Sequence, residues 1–212
     1  AASPASGAFL ATVRPQVRFT FSDPVPSSGL AANSVALLLD GIDVTAQATI
    51  GATDAMFTPA IDLSEGNHTA QATVTDRAGN SSTASVTFFV DAAAPSLTLS
   101  PSGGATVASG TTTLSASYAD SGSGIDTASV MVTLDGGDVT PSFAVSATGA
   151  TFTPSLGLTP GNHSWTVRVD DRAGRRTEVT ASFVVPTPDT TAPTVSLPPS
   201  DGALLATGAV TF

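Results

Sequence analysis

The chain repeats itself. Residues Phe57-Thr58-Pro59, Leu63, Gly66-Asn67-His68, Val74 and Asp76-Arg77-Ala78-Gly79 recur 95 positions later as Phe152-Thr153-Pro154, Leu158, Gly161-Asn162-His163, Val169 and Asp171-Arg172-Ala173-Gly174. A residue kept in both copies is placed to hold up a fold rather than to do chemistry once. A period this long marks domain-sized units with their own cores, not the short stacked repeats of a solenoid.

The repeat extends outward from that block. Gly7 matches Gly104 and Asp23 matches Asp120 at an offset of 97. A two-residue difference near Ser27-Ser28 then brings the offset to 95, with Leu39-Asp40-Gly41 matching Leu134-Asp135-Gly136 and Asp43-Val44-Thr45 matching Asp138-Val139-Thr140. Asp91-Ala92-Ala93-Ala94-Pro95 matches Asp189-Thr190-Thr191-Ala192-Pro193, and a third copy opens at Thr194. The expected division is residues 1–91 for the first unit, with its first strand incomplete, 92–188 for the second, and 189–212 for the start of a third.

Composition narrows the function classes. The chain has no lysine, and its seven basic residues are all arginine. A net charge of -10 argues against nucleic acid, which needs a basic footprint, and against anionic lipid surfaces. Cysteine is absent, so disulfides, thiolate catalysis and cysteine-held metal are excluded. The missing lysine also rules out an isopeptide cross-link. Each unit must therefore rest on packing and ladder hydrogen bonds. The apolar runs, such as Val35 to Leu39, are strand-sized, and no direct membrane insertion is expected.

Period-two alternation is plain. In the second unit Leu114, Ala116 and Tyr118 face one way, as do Val130, Val132 and Leu134, then Trp165, Val167 and Val169, then Ala181, Phe183 and Val185. The first unit answers with Val17, Phe19 and Phe21; Val35, Leu37 and Leu39; Ala70, Ala72 and Val74; Val86, Phe88 and Val90. Apolar-in and polar-out alternation indicates antiparallel sheets with one wet face. Asp40-Gly41, Gly66-Asn67 and Ala78-Gly79, with their second copies, supply the turns. About seven strands per unit predict an all-β fold of tandem immunoglobulin-like sandwiches with Greek-key connections.

The series Phe-Thr-Pro, Leu, Gly-Asn-His, alternating apolar residues, Asp-Arg-Ala-Gly and the boundary Asp-x-x-Ala-Pro resembles the bacterial immunoglobulin-like repeats of large surface proteins and adhesins. The resemblance covers essentially the whole chain. It implies modules that serve as stalks, spacers, adhesive tips or enzyme appendages.

The candidate sites are few. His68 and His163 are the only histidines and share one turn-to-strand position, which predicts a corner hydrogen bond rather than a catalytic base. No nucleophile elbow, zinc-type histidine pair or phosphate loop is present. No catalytic, cofactor or metal residue is assigned, and no catalysis is expected. Fifteen of the seventeen acids are aspartate, which suits turns. Calcium at a domain junction is the minor alternative, with Asp91 and Asp189 as its first candidate ligands. Asn67, Asn80 and Asn162 fit the glycosylation pattern but sit where turn chemistry explains them. Trp165 alternates with core residues and is expected inside rather than as a sugar platform. Arg172, Arg175 and Arg176 cluster at one hairpin tip, either as a solvated turn or as a contact to an acidic neighbour.

The ends do not coincide with unit boundaries. The expectation is a window of a longer array; the alternative is that the C-terminal overhang completes the first unit of another molecule, giving head-to-tail filaments by strand exchange. The expected role is an extended stalk or fibre segment of a secreted or cell-surface bacterial protein. Its junctions, Asp91–Pro95 and Asp189–Pro193, are stiffened by proline. Two further roles compete with it: a ligand-binding module for a protein or glycan receptor, and a non-catalytic appendage of a secreted enzyme. The expected partners are neighbouring immunoglobulin-like repeats in the same or an adjacent chain.

Overall fold

The computed structural model describes residues 1–24 and 27–195. The expected third unit therefore lies, from residue 196 on, outside the described residues. The first sandwich contains β1 (Ala2–Ser3), β2 (Ala8–Leu10), β3 (Val17–Thr20), β4 (Ala36–Leu39), β5 (Ile42–Asp43), β6 (Thr49–Ile50), β7 (Asp54–Phe57), β8 (Gly66–Thr75) and β9 (Ser81–Val90). The second contains β10 (Ser96–Ser100), β11 (Ala105–Thr106), β12 (Leu114–Ala119), β13 (Ile125–Leu134), β14 (Gly137–Asp138), β15 (Ala144–Val145), β16 (Gly149–Phe152), β17 (Gly161–Asp171) and β18 (Arg176–Val185).

The two units share one topology. A four-stranded sheet, β1-β3-β7-β6, faces a five-stranded sheet, β2-β9-β8-β4-β5; the second unit repeats this as β10-β12-β16-β15 and β11-β18-β17-β13-β14. The chain crosses between sheets after β1, β2, β3, β5 and β7, so most neighbours in a sheet are not neighbours in sequence. Nine strands per unit exceed the expected seven because the two-residue stubs β5 and β6, and β14 and β15, extend the edges. One pair per unit is parallel rather than antiparallel, β2 with β9 and β11 with β18. β1 pairs with β3 over two residues, whereas β10 pairs with β12 over five.

Most of the alternating apolar residues meet between the sheets as expected; Phe21, Val35 and Val74, also expected inward, are only half-buried and lie outside the first core. Val17, Phe19, Leu37, Leu39, Ala70, Val86, Phe88 and Val90 form the first core. Leu114, Ala116, Tyr118, Val130, Val132, Trp165, Val167, Val169, Ala181, Phe183 and Val185 form the second. Each large side chain contributes roughly 1.5–3 kcal/mol by leaving water. Trp165 is fully buried, and its Nε1–H donates to the Pro101 carbonyl at 3.3 Å.

Candidate functional site

The only two imidazoles of the chain sit at equivalent corners of the two sandwiches. Asp40 and Asp135 each open a tight turn at φ 50°, followed by Gly41 and Gly136 at φ 78° and 84°. Aspartate and glycine tolerate that left-handed backbone. The turn aims the Asp40 carboxylate at β8. There Oδ1 accepts the Thr69 N–H at 2.8 Å, and Oδ2 lies 2.7 Å from His68 Nδ1. His68 Nε2 lies 2.8 Å from the Ser64 carbonyl. The second unit repeats the arrangement with Asp135, Ser164, His163 and the Thr159 carbonyl.

Both ring nitrogens face acceptors, a carboxylate and a carbonyl. Both must therefore donate, which favours the imidazolium. For His163 the Thr159 carbonyl raises the pKa; burial opposes this, and Asp135 adds to it. For His68 burial lowers the pKa, but the bonds to Asp40 and Ser64 and the Asp40 charge outweigh it. An imidazolium with both N–H groups committed has no lone pair with which to act as a base. The corners lock the turn between β4 and β5, and its second copy, to the start of the long strand.

The three arginines at the second hairpin tip divide between two jobs. Arg176 grips Asp170 within its own hairpin at 2.8 and 2.9 Å. Arg175 Nη2 donates across the junction to the Ala11 carbonyl of the first unit at 2.8 Å, and the Arg172 guanidinium lies 6.0 Å from the centre of the Phe9 ring. Thr177 Oγ1 also donates to the Pro95 carbonyl at 2.5 Å. The hairpin tip is therefore a docking surface for the first unit: Arg176 meets an acid within its own hairpin, while Arg175 and Arg172 reach a carbonyl and an aromatic ring of the first unit.

Behind that tip the junction buries acid. Asp91, at the end of β9, is 0% exposed, and Asp171, at the end of β17, is 2% exposed. With Asp120, just after β12, they bring ligand atoms within 4.8 Å of one another, the one grouping of three metal-ligating side chains among the described residues. Asp91 Oδ2 accepts the Ser123 N–H at 2.6 Å across the junction, and Oδ1 accepts the Ala93 N–H at 3.2 Å. Asp120 Oδ1 accepts from Gly122 and Gly124, and Asp171 Oδ1 accepts from Arg175 N–H at 2.8 Å. Asp171 Oδ2 is buried without a partner.

Gly122 makes this possible. A Cβ there would lie 2.5 Å from Asp91 Cγ and 2.6 Å from each of its oxygens. Two like charges about 5 Å apart repel by roughly 3–4 kcal/mol at an effective dielectric of 20. Burial, joined by the charges of Asp91 and Asp120, accordingly pushes the Asp171 carboxyl above the usual carboxylate range.

Of the two candidate junction ligands read from the sequence, only Asp91 enters such a cluster. Asp189 is exposed and accepts the Thr191 N–H of its own turn at 2.8 Å. Asp120 and Asp171 escape a reading of the sequence because their repeat partners, Asp23 and Asp76, make them look like turn residues. The signal that could have found them is the pair of changes beside them, Gly122 and Arg175, where the first unit has Ser27 and Asn80.

Known proteins share this architecture. The family model described as "Bacterial Ig-like domain" matches residues 14–92 and 100–187, and the chain belongs to that family, in two copies. No curated protein matches it. Among solved structures it is similar to the fibronectin(III)-like modules of Clostridium thermocellum CbhA, at 17% identity and TM-score 0.49, covering 87% of this chain and 92% of that one. It is also similar to murine CEACAM1b, at 12% identity and TM-score 0.42, covering 86% and 98%. No helix among the described residues is long and apolar enough to cross a membrane.

Proposed function

We propose that this tandem pair of bacterial immunoglobulin-like domains is a spacer, an extended stalk or fibre segment of a secreted or cell-surface protein, without catalysis of its own. The observation that supports it is the junction. Arg175, Arg172 and Asp91 tie the two sandwiches together through three different contacts, and Thr177 holds the Pro95 carbonyl of the connection to the second unit. A spacer needs such a joint, because length is transmitted only if neighbouring modules do not fold back on each other. The short Pro95-containing connection restricts the backbone where those contacts act. Exposed large apolar residues such as Ile42, Ile61 and Leu156 come from separate segments of the chain.

Small-angle scattering and light scattering of the chain test this. The expected result is a monomeric rod of roughly 70–90 Å, two sandwiches of ordinary strand length end to end. A compact particle, or a distribution of bent ones, would overturn it. Head-to-tail filament assembly by strand exchange is the second reading, favoured by the shorter ladder of β1. It requires concentration-dependent filaments that disappear when residues 194–212 are deleted.

A further inference from the structure

We infer that the carboxylates of Asp91, Asp120 and Asp171 form a calcium site that clamps the first unit to the second. Three observations carry it. The three acids come from three separate segments: the end of β9, the loop after β12 and the end of β17. They nevertheless bring their oxygens within 4.8 Å of one another. Two of the three are almost completely buried. Asp171 Oδ2 is buried with no hydrogen-bond partner. Three carboxylates so placed repel one another, and a shared cation removes both the repulsion and the unpartnered oxygen.

The first unit supplies an internal control. Asp23 and Asp76 hold the corresponding places, and each is capped from its own domain. Ser27 Oγ donates to Asp23 Oδ2 at 2.8 Å, and Asn80 donates from its backbone N–H and Nδ2 to Asp76 at 2.8 Å each. In the second unit both side-chain caps are gone, and only the backbone N–H bonds to Asp120 Oδ1 and Asp171 Oδ1 remain. Gly122 replaces Ser27 and leaves room for the incoming Asp91. Arg175 replaces Asn80 and sends its guanidinium to Ala11 instead. The same fold position is thus a self-satisfied turn in one copy and, in the other, a turn that leaves Asp171 Oδ2 without a partner.

An all-oxygen, all-carboxylate set selects a hard cation, and the flexible coordination of calcium suits acids arriving from separate segments better than the strict octahedron of magnesium does. Both histidines are committed to their corners, so no nitrogen ligand competes.

Titration calorimetry of the metal-stripped full chain with calcium chloride, beside thermal melts in EDTA and in calcium, tests the site. One saturable site per chain is expected, with a dissociation constant in or below the range of about 10⁻⁴–10⁻³ M usual for extracellular modules. Asp171→Asn and Asp120→Asn each keep the acceptor oxygen toward the backbone and remove a charge. Each should weaken binding at least ten-fold and abolish the calcium-dependent rise in melting temperature. Asp76→Asn and Asp23→Asn in the first unit should leave binding unchanged. If one second-unit variant fails to fold, the other carries the test. The inference is overturned if the parent shows no saturable binding up to several millimolar, if binding survives both second-unit variants, or if magnesium binds as tightly as calcium. A rod in scattering with no calcium binding would leave the spacer proposal standing and remove only the site.

Discussion

Asp76 and Asp171 stand at the same place in two copies of one hairpin, yet their carboxyls are driven in opposite directions. Asp76 is held below the usual carboxylate range by the side chain and then the backbone N–H of Asn80. Asp171 is pushed above it by burial, with the charges of Asp91 and Asp120 adding to the effect. The backbone around them is shared: Arg77 N–H donates to the Gly29 carbonyl as Arg172 N–H does to Gly124, and Ala78 and Ala173 N–H both donate to a serine hydroxyl, Ser28 or Ser123. The difference lies in two side chains. Where Ser27 and Asn80 cap the acids, the turn closes on itself. Where Gly122 and Arg175 stand, it opens toward a neighbouring domain. A family fold can therefore keep its loop geometry while two substitutions turn a structural end into a joint.

The largest effect expected on this comparison is that of Trp165→Ala. Trp165 occupies the position that Ala70 holds in the first unit, and both are fully buried. The change writes the first unit's residue into the second, but the surrounding core has grown around indole. It should cost the second unit about 3–5 kcal/mol while the first is unaffected. Calorimetry that resolves two transitions would show only one of them fall; a drop in both would mean that the units unfold together.

Gly122→Val comes next. Its Cβ would collide with the Asp91 carboxylate, so the junction must open. A loss of about 1–3 kcal/mol from overpacking is expected, along with a longer or more variable particle in scattering. Ser27→Gly, which writes the second unit's residue into the first, should cost only about 1 kcal/mol because the two bonds it removes, to Asp23 and from the Gly29 N–H, are exposed.

Arg175→Asn would transplant the first unit's cap. It removes the bond to Ala11, worth about 0.5–1.5 kcal/mol, and residual dipolar couplings should report looser coupling between the domains. Unchanged couplings would place the joint's rigidity elsewhere, in Arg172 and Asp91.

The smallest effect is one in which the two units should agree. The His68 and His163 pKa values are both raised in the folded state. Each corner's contribution is therefore fully present below the unfolded histidine pKa, near 6.5, and is lost as pH rises through the raised folded value. Both units should lose a little stability on going from mildly acidic to mildly alkaline solution, and His68→Gln and His163→Gln should each flatten that dependence in their own unit. Histidine chemical shifts followed against pH check it. A folded pKa below 6.5 at either corner would contradict the double-donor geometry.

Much of this molecule was legible from its residues. Leu114, Ala116 and Tyr118, or Val86, Phe88 and Val90, alternate because a strand exposes one face to the core, and burial follows that alternation in the structure. His68 and His163 share a place in the repeat, and both are corner residues with the same kinds of partner. The parallel pairing of β2 with β9 was not legible, since three residues carry no period. The arginine tip was legible only in part. Its clustering was visible, but its acceptors, the Ala11 carbonyl and the Phe9 ring, lie in the other unit, at the far end of the chain.

The sequence by itself determined the sandwich class and which faces point inward, because each is written in local period and in the repeat. Only the tertiary structure decided that Asp91, Asp120 and Asp171 meet. Those three acids come from segments with no common pattern, and their proximity depends on how one rigid sandwich sits on the next. That pose is set by the room left at Gly122 and by the reach of Arg175 to Ala11.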